Sequence, residues 1–441
     1  MLSLSVFIGW QNSLRFSTII LVGLAAILLL RWQVLGLLLM VPIGFLVPIS
    51  LGTGTETSIN ATILLLAVLI VFWILDTLVN KRQLLIDPIS IYLPLILFCA
   101  VVLIAFLFGQ LEWFYTVGKA SLASQLGGVA LFLFSVGAFV LYSQQIKEKI
   151  WLERLTWIFL FFGGFFIIMR AFPAFGHQFT RYYQKGSTGS PFWIWMVALS
   201  VSQALLNKDL DNRFRILLGG ITLATLWVGL FPNRSWASGW LPPLIAMIVI
   251  VVFWKPRLGY IIALIFGISF VLNYDRIIAL VLSEEQYSWI TRLAAWKILW
   301  EIISVNPFFG LGPSNYYFYT PLYPILNWFV NFSSHNQYID LIAQIGLFGF
   351  FCFSWFILRI IITGINLLKV KLDGFSHAYV VGLLGGLGGT LAAGMLGDWI
   401  IPFVYNIGFA GFQSSILVWI FLGGLVALKN FYHDREKPGE Y

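Results

Sequence analysis

About thirteen apolar runs follow one another along the 441 residues of this chain, each close to the roughly 20 residues a helix needs to cross a hydrocarbon layer. They fall near 14–30, 34–51, 59–79, 88–109, 121–142, 151–172, 190–206, 214–231, 240–254, 258–273, 337–362, 377–396 and 407–428. A water-soluble chain cannot hide that much apolar surface from solvent. With 60% apolar residues and only 10% charged ones, the excess is surface that needs lipid. The expected fold class is therefore an all-α polytopic membrane protein of about 12–13 transmembrane helices. The run at 240–254 is short and contains Pro242 and Pro243, so it is expected to tilt or to re-enter. Arg15 follows the first apolar patch with no small-residue cleavage site, so the first span is expected to serve as its own insertion signal. Cys99 and Cys352 lie in different runs and read as packing residues rather than a disulfide.

The cations sort the connections into two faces. Arg31, Lys81, Arg82, Lys147, Lys149, Arg154, Lys208, Arg213, Arg215, Lys255, Arg257, Arg359, Lys369, Lys371, Lys429, Arg435 and Lys437 share one face. Arg15, Lys119, Arg170, Arg181, Lys185, Arg234, Arg276, Arg292 and Lys297 share the other. Seventeen against nine makes the first face cytoplasmic by the positive-inside rule, with the C-terminal tail on it. The net charge of +8 is thus mostly a topology signal, and nucleic-acid binding is a poor reading of cations scattered over many short loops.

Three units are expected: N-terminal transmembrane helices over 1–213, a core over 214–430 holding a long external loop at 274–336, and a cytoplasmic tail over 431–441. The loop is rich in Trp, Tyr, Phe and Pro, which is not the composition of disorder. From Gln286 to Val305 it reads as an amphipathic helix, with Trp289, Leu293, Trp296, Trp300 and Ile303 on one face and Arg292 beside them. Arg292 either snorkels or binds an anion at headgroup depth. Asn306-Pro307 ends the helix, and Gly310 and Gly312 supply a tight turn.

Ser333-Ser334-His335-Asn336-Gln337-Tyr338 precedes the next span, so serine is expected as its N-cap and His335 in its first turn. The positive end of that helix favours neutral imidazole, a proton acceptor, although hydrogen bonding within the loop is the plainer reading of one histidine. Arg234, in Pro232-Asn233-Arg234-Ser235-Trp236, belongs to the same face and reads either as an interfacial anchor or as a functional cation. Two arginines suit phosphate oxygens, and a neutral histidine suits removal of a hydroxyl proton. A lipid-linked phosphate ester with a hydroxyl acceptor follows. No metal-ligand spacing, nucleotide loop or HExxH motif is present, so neither metal nor cofactor is expected.

Thr291-Arg292-Leu293-Ala294-Ala295-Trp296, Asn306-Pro307-Phe308-Phe309-Gly310-Leu311-Gly312-Pro313-Ser314-Asn315-Tyr316, Ser334-His335-Asn336-Gln337-Tyr338 and Ala343-Gln344-Ile345-Gly346-Leu347-Phe348-Gly349 occur in that order. The set resembles the O-antigen ligase and polymerase superfamily of envelope glycosyltransferases, over roughly 215–430. The resemblance implies a GT-C-like bundle with a large periplasmic loop, in the inner membrane. It implies metal-independent transfer of a glycan from undecaprenyl diphosphate to a saccharide or glycolipid acceptor, such as the lipid A core. It assigns Arg234 and Arg292 to the donor diphosphate and His335 to acceptor activation. One departure is Asn233, where the family often has Ser before the arginine. Asn315, Tyr316, Asn336, Tyr338 and Asp398 are the further candidates for substrate binding. An O-antigen or exopolysaccharide polymerase and a protein O-oligosaccharyltransferase share these features. A flippase would instead want mid-membrane charges and matching broken helices in two halves.

Overall fold

The computed structural model describes residues 33–52, 58–81, 89–274 and 286–436. The expected first span at 14–30, residues 275–285 of the loop and the last residues of the tail lie outside the described residues. Among the described residues, helices account for all twelve of the other expected runs. They are α1 (Gln33–Leu46), α2 (Ala61–Asp76), α3 (Ile89–Phe108), α4 (Leu122–Gln145), α5 (Lys149–Ala171), α7 (Ser190–Leu206), α8 (Asn212–Leu230), α9 (Ala237–Trp254), α10 (Pro256–Leu272), α13 (Gln337–Leu367), α14 (Gly374–Gly394) and α15 (Gly408–Glu436). Three further helices lie in connections: α6 (Pro173–Thr180), α11 (Gln286–Ile303) and the single turn α12 (Tyr316–Tyr319). A short hairpin pairs Ser50–Gly52 with Ser58–Asn60. Nine of the helices are long and apolar enough to cross a membrane, and α1, α7 and α10 are shorter apolar helices.

α15 is the axis of the bundle, with 94% of its apolar window buried, whereas only 28% of the window in α2 is. A helix apolar all round is stable only when protein or lipid surrounds it, and burial decides which. Glycines bring the central helices together. In α14, Gly385, Gly386 and Gly389 leave no room for a Cβ against Ile250, Trp195 and the Pro242 carbonyl. Small residues of this kind let helix backbones approach inside membranes. The prolines of α9 do not break it: Pro242 and Pro243 are buried inside one continuous helix. Pro242 has no N–H for the carbonyl of Ser238, and the hydroxyl of Ser190 donates to that carbonyl instead, at 2.5 Å.

α13 is broken, and the break positions the segment between α11 and α13. Gly346 has φ +69°, and a Cβ there would fall 2.1 Å from the carbonyl oxygen of Phe308. The helical hydrogen bonds lost at the break are replaced by the Asn306–Gly312 turn. Leu311 N–H donates to Ala343 O at 2.9 Å and Gly312 N–H to Gln344 O at 3.1 Å. In return Leu347 N–H donates to Pro307 O at 2.8 Å and Phe348 N–H to Phe308 O at 3.1 Å. Gly310 and Gly312 adopt φ +74° and +90°, the conformation the expected turn demands. The glycine-rich motif is thus a splice of loop backbone into a spanning helix, and it anchors everything between α11 and α13.

Two local expectations are corrected. The face of α11 that packs on the protein consists of Ala295, Leu299, Ile302 and Ile303, while Leu293 and Trp300 point outward at 48% and 49% exposure. The expected apolar stripe is therefore split between protein and surroundings. The N-cap of α13 is Asn336, whose side chain accepts from the N–H groups of Tyr338 and Ile339, and not a serine. His335 precedes the cap with φ +47° and is not in the first turn. The Ser334 hydroxyl is occupied instead by the backbone N–H of Asn336, at 2.9 Å, and by Asp340.

Candidate functional site

Around one end of α13, a connection between α14 and α15, residues 395–407, touches every segment that carries an expected site residue. Its first contact is with α11, where the Arg292 guanidinium donates to the carbonyl of Leu396 at 3.4 Å. Its second is with the His335 loop, since the Asn406 amide nitrogen lies 3.3 Å from His335 Nδ1 and also donates to Asp398. Its third is with the Arg234 turn, where Trp236 packs edge-on against Trp399 with ring centroids 5.7 Å apart. Gln337, the first residue of α13, accepts the N–H groups of Ile400 and Ile401 at 3.0 and 2.8 Å, which fixes the connection over the helix end. α11 is tied to the same place, because Trp296 Nε1 donates to Ser334 O at 2.8 Å.

Arg234 itself is exposed, in a turn closed by Trp240 Nε1 donating to its carbonyl at 3.0 Å. Asn233 accepts from the guanidinium of Arg170 at 3.0 Å. A second exposed arginine from the end of α5 therefore stands beside Arg234, and the sequence reading had counted it only as a topology charge. Asn406 was missed altogether. It lies eight residues past Asp398 with no periodicity or motif to mark it, and only the return of the chain brings it to His335.

The candidate substrate-binding residues form the frame beneath. Asn315 is fully buried, its amide donating to Gly109 O and Leu311 O at 2.9 Å and its oxygen accepting from Ala120 N–H. Tyr316 is also fully buried and donates to Asp340, while Asn336 is the α13 cap. Tyr338 donates to Leu391 O at 2.6 Å and links α13 to α14. Asp398 is fully buried and accepts from Phe403 N–H at 2.6 Å. Each of these polar groups is engaged within the protein in this structure.

The electrostatics of this frame are unusual for a membrane protein end. Two acids, Asp340 and Asp398, are almost wholly enclosed, at 1% and 0% exposure. Burial pushes the Asp398 carboxyl up to about 6, against the hydrogen bonds from Phe403 and Asn406 that favour its anion. Burial, and then the charge of Asp340, holds the Tyr316 hydroxyl well above its ordinary range. Tyr316, which donates to Asp340, is stacked at 4.7 Å on Phe403, whose N–H donates to Asp398. Among the described residues, no cluster of three or more His, Cys, Asp or Glu side chains is placed to hold a metal ion.

Fold and site together define a polytopic α-helical membrane protein in which the segments carrying Arg234, Arg292 and His335 meet a buried acidic frame at one end of the bundle. Residues 221–354 match the family model described as O-Antigen ligase. The matched segment contains Arg234, Arg292, the spliced glycine turn and His335, and it supports the O-antigen ligase-like superfamily and a glycan transferase of that general kind. No curated protein matches the chain.

Proposed function

We propose that this protein transfers a glycan from an undecaprenyl diphosphate carrier to the hydroxyl of an acceptor, at the external face of the inner membrane. The observation that carries this reading is the 395–407 connection, which ties the Arg292 helix, the Arg234 turn and the His335 loop to one place. Arg234 and Arg292 neutralise the diphosphate as it leaves, where charge grows toward the transition state, so fixed cations accelerate the step rather than merely bind. Arg170, joined to the Arg234 turn through Asn233, adds charge to the same approach. His335 accepts the proton of the acceptor hydroxyl as its oxygen attacks the anomeric carbon. The carbon–oxygen bond to the diphosphate breaks, undecaprenyl diphosphate departs, and direct displacement inverts the anomeric centre. Leu293 and Trp300, exposed on the helix that carries Arg292, suit a lipid-headgroup setting for the donor.

The test is reconstitution of purified protein in vesicles with an undecaprenyl diphosphate-linked glycan. Lipid A core, the glycan itself and an acceptor protein are supplied one at a time. Release of undecaprenyl diphosphate together with a new glycosidic bond is expected with one of them, and that one separates ligase, polymerase and oligosaccharyltransferase. Movement of the lipid-linked glycan across the vesicle with no bond made or broken would overturn the reading in favour of a flippase.

A further inference from the structure

Asn406 links Asp398 to the ring of His335: its amide nitrogen donates to Asp398 and sits 3.3 Å from His335 Nδ1. We infer that Asn406 is a positioning residue that couples the protonation of Asp398 to the tautomer of His335. This rests on the catalytic role proposed for His335 above.

The coupling follows from the chemistry of an amide, which has a donor end and an acceptor end. An ionised Asp398 carboxylate only accepts, so Asn406 must turn its nitrogen toward it. The second N–H of that nitrogen then points to His335 Nδ1, which must be the bare nitrogen. The ring proton lies on Nε2, and His335 is a donor there. Once Asp398 is protonated its hydroxyl donates, and Asn406 turns its oxygen inward. That oxygen also accepts from Nδ1–H of His335. The ring proton then lies on Nδ1, Nε2 carries the lone pair, and His335 is a base there. The imidazolium formed after proton uptake keeps its Nδ1–H bond to the same oxygen.

Two features make Asp398 suited to switching. It is fully buried, and that burial pushes its carboxyl up from the ordinary carboxylate range to about 6. The groups acting on it are the N–H of Phe403 and of Ile407, the Asn406 amide, and the neighbouring Asp340 and Tyr316, with Arg292 held at Leu396 two residues away. His335 is held in the left-handed region at φ +47°, a backbone conformation that a non-glycine residue rarely adopts.

The decisive measurement is the nitrogen-15 spectrum of the histidine rings in protein reconstituted in lipid. The chain has four histidines, and His335→Gln identifies the signal in question. At alkaline pH the wild type is expected to show His335 protonated on Nε2. Asp398→Asn is expected to reverse this to Nδ1, because the backbone N–H groups hold the new amide oxygen and leave its NH2 to donate to Asn406. The same tautomer in both proteins overturns the inference. Should Asp398→Asn not fold, Asn406→Leu serves: the His335 tautomer must then cease to follow pH through the Asp398 titration, and a pH response unchanged from the wild type overturns the coupling. In the transfer assay, the wild-type rate is expected to fall about tenfold per pH unit above the Asp398 titration, and the Asp398→Asn rate to stay level. The tautomer readout needs no glycan transfer, so a failed coupling and a failed transferase reading are told apart.

Discussion

The indole of Trp296 donates a hydrogen bond to the carbonyl of Ser334 at 2.8 Å, so the helix that carries Arg292 is fastened to the residue before His335. Together with the 395–407 connection, this bond holds the two groups proposed to work on the donor and the acceptor at one end of α13. Trp296→Phe keeps the ring and deletes the donor. It is expected to cost about 1 kcal/mol of local order and to lower transfer roughly fivefold, with unchanged thermal stability of the bundle. A light-scattering melt alongside the vesicle transfer assay separates the two effects.

Arg292→Lys keeps the charge and loses the fork. If the arginine contacts the diphosphate through two nitrogens, transfer falls at least about tenfold while the protein inserts and purifies normally. Unchanged transfer would reduce Arg292 to a generic surface charge.

Removing the imidazole should be more severe. His335→Ala and His335→Gln are expected to lose about 100- to 10,000-fold of the rate, with binding of the lipid-linked donor retained in a fluorescence titration. Near-normal transfer in either variant removes the proton-acceptor role.

Gly346→Ala probes the splice rather than the chemistry. The new methyl group would sit 2.1 Å from Phe308 O on a backbone at φ +69°. A loss of more than about 2 kcal/mol is expected, from strain together with the displaced turn. It should show as a lower melting temperature and as protease cleavage between α11 and α13.

At the opposite end of the bundle, Asp373 caps α14 and accepts from Lys149 at 3.0 Å and from the Tyr432 hydroxyl at 2.7 Å. Burial opposes its charge, but the Ser376 N–H, Tyr432 and Lys149 together lower it to about 2. A depressed carboxylate stabilises the fold above its unfolded pKa near 4, and that contribution is lost as pH falls through about 2. Asp373→Asn should therefore melt below the wild type at neutral pH, and the gap should close in acid. A constant gap across pH would show that the charge contributes nothing.

Periodicity and charge in the chain were enough to read its helices. Twelve apolar runs became twelve helices because a stretch of about 20 apolar residues has one low-energy answer in lipid, and because backbone groups there must pair within the segment. The turn at Gly310 and Gly312 was legible for the same local reason, since the conformation belongs to the residue type. What the glycines turn toward was not legible. The break in α13 at Gly346 and the strand of loop that fills it are 36 residues apart at Gly310, and only folding pairs their orphan carbonyls and amides.

The candidate site divides along the same line. Arg234, Arg292 and His335 could be singled out from sequence because charge and imidazole beside apolar spans are costly and therefore informative. The capping residue falls two positions later than expected, since Ser334 and Asn336 both suit a helix start and only the folded contacts commit the Ser334 hydroxyl to Asp340 and the Asn336 N–H. Asn406, the burial of Asp398 and the split face of α11 depended wholly on tertiary contacts. Hydropathy acts residue by residue along the chain, so the sequence alone determined the spans and their charged ends. Hydrogen bonds between segments far apart in the chain have no local signature, so only the folded bundle decided which polar groups meet.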